Sequence, residues 1–189
     1  MEQESSSALL LMDYTPSTVQ WHGEAGNAAV DRAAGALAAA RSNGISVFYV
    51  LPNYRPGYPE LRKGQPFDNV IAAGLFRESP PAAGVETRLA PREHEAVVPK
   101  CRYIPFFAND LQHLLRMKNI RSLVLAGIAT SGVVLSGVRD AWDLDYQLTV
   151  LEDACADPDP EVHRLLTTKI FLPQARVMSV WDWISSIRE

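Results

Sequence analysis

The sequence is short of cysteine, histidine and positive charge. Its two cysteines, Cys101 and Cys155, lie far apart and do not have the spacing of a disulfide framework or a zinc site. The 18 Lys and Arg are outnumbered by 22 Asp and Glu, and they form no cluster of the kind that binds nucleic acid. No apolar run is long enough to span a membrane. We therefore expect neither a nucleic acid nor a membrane as a partner.

The start of the chain does not resemble a secretion signal. Residues 1–7 are polar and acidic, whereas a signal peptide begins with basic residues and continues with an apolar stretch. This feature and the scarcity of cysteine predict a cytoplasmic protein. With 189 residues, 47% of them hydrophobic, the chain can bury one sizeable core. We therefore predict a single domain over residues 1–189.

Short apolar runs alternate with helical patterns along the chain. The runs that predict strands are 8–12, 45–51, 96–99, 122–127, 147–151 and 175–178. The patterns that predict helices are 27–42, 107–118, 132–143, 159–171 and 180–187. This alternation predicts an α/β fold with three layers, α/β/α, around a mostly parallel sheet of about six strands. Residues 53–91 are rich in Pro and Gly, and they predict a long excursion over the top of the sheet with a short helix near 69–76.

Groups capable of chemistry fall at the ends of three predicted strands. Asp13 follows the first strand, Lys100 ends a later one, and a glycine-bearing turn, 127–133, precedes a helix. Sites in parallel sheets form at the carboxyl ends of strands. A lysine favours the ionised form of a nearby carboxylate, whereas burial opposes it. The backbone N–H groups of such a turn can stabilise a developing negative charge. Taken singly, an aspartate here is more often a capping residue and a lysine more often solvated.

Three segments, 8–14, 98–111 and 125–157, resemble the isochorismatase-like hydrolase superfamily, which includes nicotinamidases, N-carbamoyl amidohydrolases and isochorismatases. The resemblance implies the family's α/β fold and a triad of Asp, Lys and Cys. In that triad the thiolate attacks a carbonyl, the aspartate moves protons and the lysine stabilises charge. The resemblance also implies a non-proline cis peptide before the nucleophile, where it shapes the oxyanion hole.

The chain departs from this triad at the nucleophile. Asp13 and Lys100 match their positions, but the cysteine position is Val133, and a slip of one residue would place Gly132 there. Neither side chain has a nucleophilic atom. The possible substitutes are Thr130, Ser131, Ser136, Cys101 and Cys155. The hydroxyls have no histidine in their own segment to activate them, Cys101 is expected to point away from the site, and Cys155 matches a family cysteine with no catalytic role.

The same alignment predicts the pocket. The expected substrate-binding residues are Tyr14, Phe106, Ala129 and Thr130, with Arg55 or Arg102 to meet a substrate carboxylate. No metal or cofactor is expected. Metal-binding nicotinamidases carry an Asp-x-His arrangement after the second strand, where this chain has Asn53, Tyr54 and Arg55. Its four histidines are scattered singly at 22, 94, 113 and 163.

These features predict an isochorismatase-type hydrolase that acts on a small molecule. Isochorismatases resemble this chain in lacking the cysteine, although they typically have glycine there, and they hydrolyse a vinyl ether, which needs an acid rather than a covalent nucleophile. In this hypothesis Asp13 is the acid and Lys100 its electrostatic partner. Two alternatives stay open: a non-catalytic binding protein on the same fold, and an amidase with an unrecognised nucleophile. The resemblance further implies a homo-oligomer, either a dimer or a tetramer.

Overall fold

The apolar runs form the strands of one sheet in the computed structural model, which describes residues 6–64 and 67–187. The strands are β1 (Ser7–Met12), β2 (Ser46–Pro52), β3 (Ala96–Lys100), β4 (Ser122–Ile128), β5 (Gln147–Ala156) and β6 (Arg176–Met178). They lie in the order β3-β2-β1-β4-β5-β6, and every neighbouring pair is parallel. The predicted α/β fold with a parallel sheet of six strands is confirmed.

Helices lie in the connections between the strands and after the last strand. They are α1 (Pro16–Trp21), α2 (Gly23–Ser42), α3 (Asp68–Ala72), α4 (Leu111–Met117), α5 (Leu135–Asp143), α6 (Pro160–Leu165) and α7 (Val180–Ser186). A π-helical turn, Thr130–Val134, leads directly into α5, and a second one, Leu166–Ile170, extends α6. Two short 3-10 helices lie at Pro81–Gly84 and Thr87–Leu89. No helix within the described ranges is both long and apolar enough to cross a membrane.

Strand β1 shows why the runs are apolar throughout. Its side chains alternate between two faces of the sheet. Leu9 and Leu11 pack with α2 and α7 on one face of the sheet, in what we call the first core. Leu10 and Met12 pack with α4 and α5 on the other face, in what we call the second core. Because both faces are covered, β1 has no solvent-exposed face that would favour polar residues.

The strand order creates a crevice beside β1. β1 pairs with β2 on one side and with β4 on the other, so the order of the sheet reverses between β1 and β4. Ligands of such sheets bind outside the carboxyl ends of the strands at this point. Asp13 follows β1 directly, and the turn at Thr130–Val134 follows β4.

The long excursion after β2 has two parts. The first part, residues 53–76 without 65 and 66, forms a small apolar cluster of its own that includes Tyr54, Tyr58, Val70 and Phe76. We call this part the cap. The second part packs into the first core through Val85 and Leu89. The cap contacts α1 where the ring of Trp21 meets Phe76 edge-on, with 6.0 Å between ring centroids.

Candidate active site

A cavity of about 620 Å³ opens at the carboxyl ends of β1, β3 and β4. Of the residues that the sequence predicts for the site, Asp13, Lys100, Ala129, Val133 and Arg102 line this cavity. The cap supplies another wall, which includes Tyr54, Phe67 and Phe76. The parallel sheet therefore brings together side chains that lie up to 120 positions apart, from Asp13 to Val133.

Asp13 and Lys100 form a buried pair. Lys100 Nζ lies 2.9 Å from Asp13 Oδ2 and also donates a hydrogen bond of 2.8 Å to the carbonyl oxygen of Arg102. The other carboxylate oxygen, Asp13 Oδ1, is buried and has no hydrogen-bond partner among the described residues. Asp13 has a backbone φ of 58°, and its N–H donates to the carbonyl of Val50 at 2.8 Å. The end of β1 therefore fixes the backbone from which this carboxylate projects.

Burial changes the proton affinity of this carboxylate. Removal from water raises the pKa of Asp13 from 3.8 to about 6, because the charged form loses its hydration. The charge of Lys100 and its hydrogen bond oppose that rise. A carboxyl group with this pKa is protonated in roughly a tenth of the molecules at pH 7. Asp13 can therefore act as an acid near neutral pH, which an ordinary surface aspartate does poorly.

The turn after β4 forms the opposite wall. The peptide bond between Ile128 and Ala129 is cis, as the family resemblance implies. Val133 lies in the turn and is only 1% exposed, so its isopropyl group fills the nucleophile position without offering a nucleophilic atom. A Cβ at Gly127 would lie 2.8 Å from the carbonyl oxygen of Met12, so only glycine fits beneath this turn.

A carboxylate holds the turn in place. Asp157 Oδ2 accepts a hydrogen bond of 2.7 Å from the N–H of Ser131, and its Oδ1 accepts one of 3.3 Å from the N–H of Asp159. Asp157 is buried and also lines the cavity. The sequence prediction did not include it, although it follows β5 directly, as Asp13 follows β1.

Two of the predicted pocket residues lie in the cores instead. The hydroxyl of Tyr14 donates to the carbonyl of Ala154, and the ring is buried in the first core. Phe106 stacks on Tyr146 with 6.1 Å between ring centroids and packs against the second core. Both aromatic rings are thus held by packing against the sheet rather than presented to the cavity.

Thr130 and Arg55 also lie elsewhere. Thr130 is fully buried, and its Oγ1 lies 2.8 Å from Nδ1 of His163, which belongs to α6. Arg55 has a largely exposed side chain whose Nε lies 3.3 Å from Glu60 Oε1. Of the two arginines expected to meet a substrate carboxylate, the structure therefore places Arg102 at the cavity and leaves Arg55 in an ion pair on the surface.

Among the substitute nucleophiles, Thr130 has a histidine partner, His163 at 2.8 Å, but Thr130 is fully buried and does not line the cavity. The others lack a partner that would activate them. Burial raises the pKa of Cys155 to about 12, which keeps its thiol protonated. Cys101 packs against the cap cluster. Ser131 and Ser136 line the cavity, but no described histidine is hydrogen-bonded to either hydroxyl. The groups present therefore favour proton transfer over covalent catalysis.

Helix α1 contributes a part of the wall that the sequence prediction missed. Thr18, Trp21 and His22 all line the cavity. His22 Nδ1 donates a hydrogen bond of 2.8 Å to the carbonyl of Thr18, which can only accept, and its Nε2 is buried without a partner among the described residues. The sequence did carry a signal for α1: Thr15 caps the helix and a proline occupies its first position.

Within 6–64 and 67–187, no three His, Cys, Asp or Glu side chains are grouped closely enough to hold a metal ion.

Known proteins resemble this chain in sequence. The family model described as the isochorismatase domain matches residues 7–182. The isochorismatase family protein YecD of Escherichia coli O157:H7 is 30% identical over 187 residues, which is 96% of each chain. The ureidoacrylate amidohydrolase RutB of Stutzerimonas stutzeri is 33% identical over 168 residues, which is 80% of this chain. The alignment covers 64% of that amidohydrolase, so this chain spans less than two thirds of its length.

A solved structure has the same fold. An isochorismatase family protein from Burkholderia thailandensis superposes with a TM-score of 0.84 at 23% identity, covering 97% of this chain and 96% of the other. The match over residues 7–182 and the shared parallel sheet lead to one conclusion. The chain belongs to the isochorismatase family of hydrolases.

Proposed function

We propose that this protein hydrolyses a small vinyl ether by general acid catalysis, with Asp13 as the acid and no covalent intermediate. One observation carries the proposal: a buried carboxyl group with a raised pKa lies in the same cavity as a nucleophile position that holds valine. Vinyl ether hydrolysis requires an acid and does not require a thiol.

The two oxygens of Asp13 have different surroundings, which suggests their roles. Oδ2 is bound to Lys100, which stabilises negative charge on it. Oδ1 has no partner among the described residues, so it is the oxygen that carries the transferable proton. After the proton has left, the ammonium group of Lys100 stabilises the carboxylate that remains.

The proposed reaction is balanced by one water molecule. The proton on Asp13 Oδ1 moves to the terminal carbon of the vinyl ether, and the alkene electrons form the new C–H bond. The ether oxygen shares the positive charge that develops on the adjacent carbon. Water adds to that carbon and gives its proton to the Asp13 carboxylate. The hemiketal then breaks its C–O bond to release an alcohol and a ketone, so Asp13 ends the cycle protonated as it began.

Similarity to the ureidoacrylate amidohydrolase favours a second candidate, hydrolysis of a ureido amide. In this chain such a reaction would have to use water directly, because Val133 offers no nucleophilic atom. Asp13 would then take a proton from the attacking water and return it to the leaving nitrogen. We rank this candidate second because water would have to attack the amide without help from a thiol, whereas vinyl ether hydrolysis requires an acid and no nucleophilic side chain.

Solvent deuterium distinguishes the candidates. The protein is assayed in D₂O with isochorismate, with ureidoacrylate and with a panel of simple vinyl ethers and amides. Vinyl ether hydrolysis places one deuterium on the former alkene carbon. The ketone product can also exchange its C–H protons with D₂O, so samples are taken before a standard of the free ketone shows such exchange. Turnover of amides without turnover of any vinyl ether would replace the first candidate by the second. Ureidoacrylate is followed by release of carbon dioxide, because the enamine that it leaves takes up deuterium on carbon without the enzyme. Absence of turnover across the panel, with retained binding, would instead identify a binding protein.

Location and assembly stay predictions. The scarcity of cysteine favours the cytoplasm, and the family resemblance implies a dimer or a tetramer. Cell fractionation tests the first prediction, and light scattering on the eluting protein tests the second.

A further inference from the structure

Asp157 places a carboxylate in the main cavity without a cation beside it. The side chain is buried and lines the cavity, and it accepts hydrogen bonds from the N–H groups of Ser131 at 2.7 Å and Asp159 at 3.3 Å. These donors are neutral, so they orient the carboxylate and leave its negative charge. Among residues 6–64 and 67–187, no Lys, Arg or His side chain forms an ion pair with Asp157. A carboxylate can accept about four hydrogen bonds, so Asp157 can accept further ones from a ligand.

Asp13 provides the contrast. Its Oδ2 lies 2.9 Å from Lys100 Nζ, so the negative charge at the end of β1 is already matched. Lys100 ends β3 and Arg102 comes soon after it, whereas Asp157 follows β5, and three strands lie between β3 and β5 in the sheet. The lysine and the arginine of the cavity therefore come from its β3 side, and the β5 side has an unmatched negative charge.

An aromatic ring lies beside the same turn. A Cβ at Gly132 would be 3.5 Å from Cδ1 of Tyr103, so the ring lies against the turn that Asp157 holds through Ser131. Tyr103 lines the cavity and is half-exposed. Because the face of an aromatic ring attracts a cation, a positive group bound at this turn would be stabilised by the ring as well as by the carboxylate.

His22 adds a hydrogen-bond acceptor to the cavity. Its Nδ1 donates to the carbonyl of Thr18 at 2.8 Å, so Nε2 of the neutral ring carries a lone pair. Nε2 is buried without a partner among the described residues, and His22 lines the cavity. A buried acceptor without a donor is unfavourable, so a ligand that donates an N–H group there would remove this cost. His22 and Asp157 therefore both favour a ligand that has donors.

We infer that the β5 side of the main cavity is a cation-binding subsite, in which Asp157 and Tyr103 hold a protonated amino group of the substrate. This inference rests on the proposed function, because it assumes that the bound molecule is the one that Asp13 protonates. An ammonium group has a full positive charge and several N–H donors, so it suits a carboxylate, an aromatic face and a neutral acceptor. The substrate class is therefore a small compound with an amino group near β5 and its reacting bond near β1.

The test is a binding measurement with matched probes, which needs no turnover. Isothermal titration calorimetry near neutral pH and at about 0.15 M salt compares benzylamine, benzyl alcohol and benzyltrimethylammonium on the wild type. Benzylamine is protonated under these conditions, and benzyl alcohol has nearly the same size without the charge. We expect benzylamine to bind about tenfold more tightly than benzyl alcohol. Benzyltrimethylammonium keeps the charge but has no N–H donor, so it should bind with an intermediate affinity.

Three variants locate the effect. Asp157→Asn keeps an oxygen that can accept from Ser131 but removes the charge, so it should lose most of the preference for benzylamine. Tyr103→Leu removes the aromatic face and should reduce the preference by about two- to threefold. Asp159→Asn is the matched control, because Asp159 is an exposed carboxylate of the same loop and does not line the cavity. Circular dichroism checks each fold, and Tyr103→Leu, at a half-exposed position, decides the matter if Asp157→Asn unfolds.

The inference is overturned if the wild type shows no preference for benzylamine, or if a folded Asp157→Asn protein or Tyr103→Leu keeps the full preference. It is also overturned if Asp159→Asn loses as much as Asp157→Asn, because the effect would then be general surface charge. Binding of benzyltrimethylammonium at least as tight as that of benzylamine would exclude a hydrogen-bonded amino group.

The experiment in D₂O separates this inference from the proposed function. If benzylamine is preferred but no vinyl ether gives a deuterated product, only the proposed reaction fails. If vinyl ethers give deuterated products but benzylamine is not preferred, only the cation-binding subsite fails.

Discussion

The two walls of the main cavity differ in what they retain from the family pattern. At the ends of β1 and β3, Asp13 and Lys100 form a complete acid pair that is buried, with 2.9 Å between Asp13 Oδ2 and Lys100 Nζ. Across the cavity the turn has its cis peptide and its anchoring carboxylate, Asp157, yet Val133 occupies the nucleophile position. The scaffold for a nucleophile is therefore present without the nucleophile.

This difference shows that the two halves of the family's chemistry can be separated. The acid pair depends on the ends of β1 and β3, whereas the nucleophile depends only on one side chain in the turn after β4. The pair of Asp13 and Lys100 is therefore present in a chain that has no thiol at position 133.

The largest effect is expected at the acid. Asp13→Asn keeps the size of the side chain but removes its proton, so hydrolysis should fall by about 10²–10⁴-fold. Steady-state kinetics measures the loss, and circular dichroism checks the fold. Asp31→Asn is a matched control, since Asp31 is exposed and pairs with Arg88 on the surface. Near-normal turnover by a folded Asp13→Asn protein would remove the proposed mechanism.

The pH dependence of hydrolysis should follow the protonation of Asp13. The active form has Asp13 protonated, and that form is lost as the pH rises through about 6. We therefore expect kcat/KM to decline by about tenfold per pH unit above that value. A pH–rate profile with a stability check at each pH measures this slope. An activity that rises between pH 6 and 8 would indicate that Asp13 acts as a base, as in the amide candidate.

A nucleophile can be introduced at position 133. Val133→Cys places a thiol at the start of a helical segment, where the helix dipole lowers the pKa of a thiol. We expect this cysteine to react with iodoacetamide several-fold faster than free cysteine. Mass spectrometry of the modified peptide gives the rate, with the unmodified wild type as the control. If the new thiol reacts no faster than free cysteine, position 133 has been wrongly assigned to the nucleophile site.

The smallest effect is expected for thiol reagents on the wild type. Cys155 is buried with a raised pKa and Cys101 packs against the cap, so alkylation should not change turnover. Activity after treatment with iodoacetamide, with and without substrate, measures this. Rapid inactivation that substrate prevents would make one of these cysteines part of the site.

The sequence predicted the strands from local signals, whereas it predicted the acid pair from its place at strand ends together with the family resemblance. Apolar runs mark β1 and β4, and Asp13 and Lys100 directly follow or end a strand. Which other residues line the cavity depends on contacts between positions that are distant in the sequence. Thr130 turns away from the cavity because it pairs with His163, 33 positions along the chain, and Phe106 does so because it stacks on Tyr146. No local pattern encodes either contact.

Helix α1 was missed for a different reason. It has six residues, too few for an apolar period to be recognised, so its signals are the cap at Thr15 and the proline that follows it. Arg102 and Arg55 could not be distinguished by sequence either. The ion pair that neutralises Arg55 depends on how the cap folds, which brings Glu60 to Arg55 and only its carbonyl to Arg102.

The separate apolar cluster of the cap has a consequence for how the pocket of this protein can change. Tyr54, Tyr58, Val70 and Phe76 pack mainly with one another rather than with either core of the sheet. Mutations in the cap can therefore reshape the pocket while the folding of the sheet is inherited unchanged. Selection for a new substrate can act on one short stretch of coding sequence, and laboratory evolution of this protein would best begin with a library confined to that stretch.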